Sequence, residues 1–186
     1  MEDHDIVALY WRRDEAALAE TERRYGRYCY AIANGILRNG EDARECVNDA
    51  FLAAWNAIPP HRPALLSAFL GKITRRLALK KRRDSTAAKR GGGSVSLSLD
   101  ELAECIPAGQ SPEDQLDGAA LAELLDAFLE TLSPEDRRIF LRRYWYCDSV
   151  REIASRCGYS QSKVKMTLKR ARDKLRALLE KEDIRL

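Results

Sequence analysis

Residues 149–172 have the sequence SVREIASRCGYSQSKVKMTLKRAR, and this stretch decides the fold of the C-terminal part of the chain. Apolar residues recur at helical spacing on either side of a glycine: Ile153, Ala154, Val164 and Leu168. Gly158 lies where the chain must turn sharply, which a residue without a Cβ does with the least strain. Ser160 is placed to cap the next helix. The pattern predicts a helix-turn-helix.

The second of these helices has two different faces when its residues are placed at 100° intervals. One face is apolar and consists of Val164, Leu168, Ala171 and Leu175. The opposite arc carries Ser162, Lys165, Met166, Lys169, Arg170 and Asp173. Such an arc can enter a major groove, and Ser160 at the helix N-terminus is suited to a backbone phosphate. The alternative is a helical hairpin with a charged face toward solvent.

The charge of the chain is small in total but uneven along its length. The 186 residues carry 32 Lys and Arg against 29 Asp and Glu, a net charge of +3. Residues 1–58 lean acidic, whereas residues 72–90 and 163–176 are strongly basic. Two separate basic segments are typical of a protein that binds a polyanion, although solvated helix faces would give the same pattern.

Composition divides the chain into two helical blocks. Ala, Leu, Glu and Arg dominate and favour helix, whereas residues 84–115 are rich in Gly, Pro and Ser. We therefore predict an all-α fold with helical domains at residues 1–83 and 116–186 and a flexible linker at 84–115.

Three helices are predicted in the N-terminal block. The first carries apolar and aromatic residues from Ala17 to Leu37, Tyr28 among them, and is expected to end in a left-handed turn at Asn39 and Gly40. The second carries its apolar stripe from Ala43 to Trp55, and the third begins near residue 64. In the C-terminal block, residues 133–136 (SPED) predict the start of another helix.

Several classes of protein are excluded by what the sequence lacks. The five cysteines contain no CxxC pair, and neither His4 nor His61 has ligand-type spacing to a cysteine, so we expect reduced thiols and no metal site. No apolar run approaches the length of about 20 residues that spans a bilayer, and residues 1–3 are acidic. We expect a cytoplasmic protein without membrane insertion. No phosphate loop or nucleophile constellation appears, so neither a cofactor nor catalysis is expected.

The C-terminal block resembles region four of the sigma-70 family of bacterial RNA polymerase sigma factors, in its extracytoplasmic-function (ECF) subfamily. The similar segments are residues 132–144 (LSPEDRRIFLRRY), 149–154, 158–165 and 169–172. The resemblance implies a domain that recognises the minus-35 promoter element and docks on the flap of the polymerase β subunit. The residues it directs at this DNA are Lys165, Met166, Lys169 and Arg170, to which the helix geometry adds Ser160 and Ser162.

The N-terminal block resembles region two of the same family. Residues 41–55 (EDARECVNDAFLAAW) are similar to the helix that binds the clamp helices of the β′ subunit. The resemblance implies that Asn48 and Asp49 contact polymerase, whereas Phe51 and Trp55 belong to the core. Plain solvated polar residues are the alternative for Asn48 and Asp49.

Residues 69–83 (FLGKITRRLALKKRR) resemble the family's helix that opens and recognises the minus-10 element. The resemblance implies DNA contacts by Phe69, Lys72, Arg75, Arg76, Lys80 and Arg83. The family usually has Trp, Asn and Asp where this chain has Phe69, Arg76 and Lys80. The added positive charge favours phosphate contacts over base recognition.

Taken together, the resemblance implies a sigma factor that binds core RNA polymerase and directs promoter-specific initiation of transcription. Its implied partners are core polymerase, promoter DNA and an anti-sigma factor. Two alternatives remain at this point. A stand-alone helix-turn-helix regulator explains residues 151–172 but gives no role to the helix at 41–55, and a helical adaptor would bind acidic partners or RNA.

Overall fold

Helix-forming residues dominate the sequence, and the computed structural model places most of the residues that it describes, 1–87, 101 and 118–181, in α-helices. The helices are α1 (Asp3–Trp11), α2 (Ala16–Leu37), α3 (Gly40–Ala57), α4 (Leu66–Ala87), α5 (Gly118–Glu130), α6 (Pro134–Tyr144), α7 (Val150–Cys157) and α8 (Gln161–Lys181). The chain divides into a first unit, Met1–Gly92, and a second unit, Gly93–Leu186. The predicted all-α fold is confirmed.

The core of the first unit lies between α2, α3 and α4, which pack against one another. Ile32 and Ile36 of α2, Phe51 of α3 and Leu70 of α4 are buried there. Their burial removes apolar surface from water, which is the main source of stability for such a unit. Cys46 also lies in this core, and burial raises the pKa of its thiol to about 11, so the thiol stays protonated at neutral pH.

Helix α1 is an element that the sequence analysis missed, and it packs against α2. Four of its apolar residues are buried: Ile6, Val7, Leu9 and Tyr10. The carboxylate of Asp3, at its start, accepts hydrogen bonds from the Tyr25 hydroxyl and from the backbone N–H of Leu66, the latter at 3.1 Å. Because Leu66 begins α4, Asp3 caps a helix that starts 63 residues further along the chain.

The turn between α2 and α3 corrects one prediction. Arg38, not Asn39 or Gly40, takes the left-handed conformation, with φ of 60°. Asn39 is extended, and its side chain accepts hydrogen bonds from the backbone N–H groups of Glu41 and Asp42. The prediction was wrong because asparagine is as good an N-cap as it is a left-handed residue, and here it begins α3.

Two aromatic residues expected in the core are more exposed than predicted. Tyr28 is 43% exposed, although it follows the helical spacing of its neighbours. Phe51 is buried as expected, but Trp55 is only half-buried, with its ring centroid 5.9 Å from that of Tyr10 and 5.3 Å from the guanidinium carbon of Arg13. Both aromatic rings lie at the border of the core, where a large side chain can remain partly in water.

The core of the second unit is formed by α5 to α8. The buried residues that the sequence predicted for it are Phe128, Ile139, Phe140, Tyr144, Ile153, Ala154, Val164, Leu168 and Leu175. Helix α6 begins as predicted, with the Ser133 hydroxyl accepting from the backbone N–H of Asp136 at 3.1 Å and with Pro134 in the first turn.

The predicted domain boundaries stay predictions for the most part. Helix α4 continues through Ala87, past the boundary expected at residue 83, because residues 84–87 contain neither glycine nor proline. Apart from these residues and Glu101, the predicted linker at 84–115 lies outside the described residues.

We expect Asp3→Ala to lower the free energy of unfolding of the first unit by about 1–2 kcal/mol, because it removes the cap of α4. Glu15→Ala is the control, because Glu15 is an exposed acid between α1 and α2 whose side chain makes no capping hydrogen bond. Hydrogen exchange of the first-turn amides of α4 measures the change. Equal exchange in the two variants would contradict the capping role.

We expect Gly158→Ala to destabilise the second unit by about 1 kcal/mol, because an L-residue is strained at the φ of 69° that Gly158 adopts. No atom lies within 4 Å of the position of an added Cβ, so the loss comes from the backbone alone. Gly158→Asn should lose less, since asparagine tolerates this conformation. Urea unfolding followed by Trp145 fluorescence, with Trp11 and Trp55 replaced by Phe, measures both variants, and an Asn variant less stable than the Ala variant would refute the argument.

Candidate nucleic-acid interface

Helices α7 and α8 form the helix-turn-helix that the sequence predicted. Ser149 and Glu152 form a capping box at the start of α7, with N–H···O distances of 3.2 and 2.7 Å. Gly158 ends α7 in the left-handed conformation, and its N–H donates to the carbonyl of Ala154. The Ser160 hydroxyl then accepts from the backbone N–H of Lys163 at 3.2 Å, which caps α8. A capping hydrogen bond or a turn conformation therefore explains each of these residues.

The two faces of α8 differ sharply in their exposure. Val164, Leu168 and Leu175 are at most 3% exposed and pack into the core of the second unit. All the residues predicted to face the minus-35 element are exposed: Ser160, Ser162, Lys165, Met166, Lys169 and Arg170. Met166 is 51% exposed, so an apolar side chain lies on this face among the polar ones. The outward face combines three cations with one apolar side chain, which suits phosphates and base edges.

Lys163 belongs to the same basic segment but has a different role. Its ammonium nitrogen lies 2.5 Å from a carboxylate oxygen of Glu135 and 3.7 Å from the ring centroid of Tyr159. The hydrogen bond from Lys163 lowers the pKa of Glu135, so the pair is ionised at neutral pH. This contact joins the first turns of α6 and α8. The sequence analysis did not predict it, because the two residues are 28 positions apart.

A second basic face lies on α4 of the first unit. Lys72, Arg76, Lys80 and Arg83 are exposed and recur every three or four residues, so they form one stripe along the helix. We call it the α4 basic stripe. Phe69 and Arg75, which were predicted with them, are half-buried, and the ring of Phe69 lies 6.2 Å from that of His61. The stripe places four cations on the same helix as a half-buried aromatic ring, and such a combination is suited to phosphates and unstacked bases.

Lys81 lies on another side of α4 and pairs with α3. Its ammonium nitrogen is 3.0 Å from a carboxylate oxygen of Asp42 and 2.5 Å from one of Glu45. The hydrogen bond to Glu45 raises the pKa of Lys81. Part of the basic segment at 72–90 therefore serves to join helices.

Helix α3 presents a polar outer face on which Asn48 and Asp49 are both exposed. Leu52, one turn further on, is 58% exposed on the same face. The sequence analysis did not select Leu52, because a leucine in a helix is more often a core residue. An exposed leucine bordered by an amide and a carboxylate is suited to a protein partner.

Two family models match the chain, one in each unit. The model described as Sigma-70 region 2 matches residues 23–88, and the model described as Sigma-70, region 4 matches residues 122–175. The chain belongs to the sigma-70 family, in its ECF subfamily. Region two thus includes α3 and the α4 basic stripe, and region four includes the helix-turn-helix.

Similar proteins carry sigma-factor names. A probable RNA polymerase sigma factor, RfaY of Xanthomonas campestris pv. campestris, is 32% identical over 171 residues, which is 86% of this chain and 41% of that protein. The ECF RNA polymerase sigma factor SigE of Mycolicibacterium smegmatis is 27% identical over 176 residues, 90% of this chain and 65% of that protein. The chain therefore spans less than two thirds of the length of either relative.

A similar solved structure is that of CnrH in complex with the cytosolic domain of CnrY. The two chains are 22% identical. The match covers 96% of this chain and 97% of the CnrH chain, with a TM-score of 0.39.

No helix within 1–87 or 118–181 is long and apolar enough to cross a membrane. The same part of the chain holds no group of three or more His, Cys, Asp or Glu side chains arranged to bind a metal ion.

We expect the double variant Lys169→Ala, Arg170→Ala to weaken binding to promoter DNA and to leave binding to core polymerase unchanged. If each cation contacts one phosphate, the plot of log K against log salt concentration becomes less steep, and the magnitude of its negative slope decreases by roughly 2. The control is Arg138→Ala with Lys181→Ala, which removes the same charge from exposed positions elsewhere in the second unit. An unchanged slope, or an equal fall in the control, would show that this face does not contact DNA.

Proposed function

We propose that this sigma-70 family member binds core RNA polymerase and directs it to promoters, with its second unit at the minus-35 element and its first unit at the minus-10 element. The observation that carries the proposal is that each unit exposes a basic helix face, one on α8 and one on α4. A stand-alone regulator would need only the helix-turn-helix of the second unit. The α4 basic stripe and the outer face of α3 have a use only in the larger assembly.

Binding to polymerase compensates for the weakness of each DNA contact. Cations on α8 and α4 supply affinity through phosphates, which carries little sequence information by itself. If both units are held on one polymerase, the second contact forms at a high effective concentration, so two modest DNA contacts combine. The proposed polymerase contacts are Asn48 and Asp49 on the β′ clamp helices, extended here to Leu52, and a contact of the second unit with the β flap.

At the minus-10 element we propose that the first unit captures unstacked bases, with Phe69, Lys72, Arg75, Arg76, Lys80 and Arg83 as the contact set. Unstacking costs on the order of a few kcal/mol per step, which the new contacts must offset. Arg76 and Lys80 are exposed and charged, which supports contacts to phosphate rather than base-specific hydrogen bonds. We therefore expect a relaxed base preference at the positions these two residues face.

Three further parts of the proposal follow from family membership. The chain acts without catalysis of its own, it acts in the cytoplasm where polymerase is, and an anti-sigma factor controls it. CnrH, which is 22% identical to this chain, was solved in complex with the cytosolic domain of CnrY. Co-purification from cells that express the tagged chain tests whether an anti-sigma factor binds it.

We expect Asp49→Arg to abolish binding to core polymerase, because it reverses the charge beside the exposed Leu52. Glu22→Arg is the control, since it makes the same reversal at an exposed position on α2. Pull-down of purified core enzyme measures both variants. If Asp49→Arg recovers as much core enzyme as the wild-type chain does, α3 is not part of the interface with polymerase.

Run-off transcription with core enzyme over a library of genomic fragments tests the proposed function as a whole. Discrete products that require the chain support it. A chain that binds DNA fragments but neither retains core enzyme nor yields run-off products would instead be a stand-alone regulator.

A further inference from the structure

Arg143 of α6 is buried, with only 2% of its side chain exposed. Its guanidinium makes two parallel hydrogen bonds to the carboxylate of Glu101, at 3.0 Å from Nε and 2.6 Å from Nη2. Its Nη1 donates to the backbone carbonyl of Asp148 at 3.0 Å. A buried guanidinium is stable only when a counter-charge and hydrogen bonds compensate for its lost hydration. Glu101 provides that counter-charge, although it lies 42 residues before Arg143 in the chain.

The same carboxylate also reaches the DNA-facing helix. Arg172 of α8 places its Nη1 3.7 Å from Oε2 of Glu101 and donates to the hydroxyl of Tyr144 at 2.9 Å. That tyrosine, on α6, donates in turn to Glu101 at 3.5 Å. Arg172 follows the outward Arg170 by two residues. Glu101 is therefore the centre of a polar cluster that joins α6 to α8.

Burial distinguishes this cluster from the exposed ion pair of the second unit. Glu135 and Lys163 are 44% and 48% exposed, and such pairs contribute little to stability. Arg143 is almost fully buried and Glu101 is 26% exposed, so loss of the carboxylate leaves a charge without compensation inside the unit. The bidentate geometry also fixes the orientation of the two groups.

We propose that Glu101 is a positioning residue for the helix that faces the minus-35 element. It holds α8 against α6 through Arg172 and Arg143, and so sets the direction in which Lys169 and Arg170 project. The role in DNA recognition rests on the proposed function, whereas the role in holding α8 does not. Glu101 lies outside the region 116–186 that the sequence predicts for this domain, so the DNA-binding unit requires an acid from the preceding segment.

The test uses the full-length chain with Glu101→Gln, which keeps the shape and removes the charge. Glu123→Gln is the control, because it removes the same charge from an exposed position on α5. Arg143→Met and the double variant Glu101→Gln, Arg143→Met complete a double-mutant cycle. Amide hydrogen exchange of α6 and α8 is measured first, since it needs no promoter.

Binding is then measured to two 30-base-pair duplexes, one with the upstream half of a promoter found by run-off transcription and one with the same bases scrambled. A loss of folded protein weakens binding to both duplexes equally, whereas a misdirected α8 lowers the ratio between them. The ratio of the two Kd values thus separates positioning from stability.

We expect Glu101→Gln to speed exchange in α6 and α8 about tenfold, with α2 to α4 unchanged, and to lower the Kd ratio severalfold. The double variant should exchange no faster than Arg143→Met alone. Exchange like that of Glu123→Gln would overturn the proposal. Faster exchange with an unchanged Kd ratio would overturn the positioning role. If run-off transcription yields no promoter, the proposed function fails, and exchange alone decides whether Glu101 holds α8.

Discussion

The apolar contact between α7 and α8 determines which side chains of the second unit can face DNA. Ile153 and Ala154 on one helix meet Val164 and Leu168 on the other, and all four are buried. Once Val164 and Leu168 face inward, the helical period leaves only one arc of α8 for the outside. The small side chain of Ala154 allows the two helices to approach closely, and the turn at Gly158 sets the angle at which they meet. The set of side chains that α8 exposes is therefore a consequence of core packing.

In the first unit, core packing likewise decides which face of α4 is exposed, but some of its cations also pair with acids of a neighbouring helix. Helix α4 buries Leu66 and Leu70 against α2 and α3, and this leaves the α4 basic stripe on the outside. Lys81, one position from the stripe residue Lys80, pairs with acids of α3 instead. A basic segment in the sequence thus divides into cations that hold helices together and cations that remain available. Only the three-dimensional arrangement separates the two groups.

The sequence was sufficient wherever a feature depends on neighbours within about a turn of helix. Helical periodicity predicted both faces of α8, and the Ser133 cap followed from local composition. The sequence did not reveal partners that lie far along the chain, such as Asp3, which caps α4, and Glu101, which contacts Arg143. The prediction also failed at Arg38, because Asn39 is used as the N-cap of α3 and the left-handed turn falls on the residue before it. The exposed Leu52 was also missed, although the helical period already places it off the apolar stripe of α3 and on the face of Asn48.

The contact of Glu101 with Arg143 of α6 and Arg172 of α8 divides the segment between α4 and α5 into two parts with different constraints on length. Residues 88–100 join the end of α4 to this contact and, fully extended, span at most roughly 50 Å. An insertion there lengthens the reach between the two units, whereas an insertion within 102–117 leaves that reach unchanged. On the proposed function, a fixed distance between promoter elements would therefore constrain the length of the first part but not that of the second.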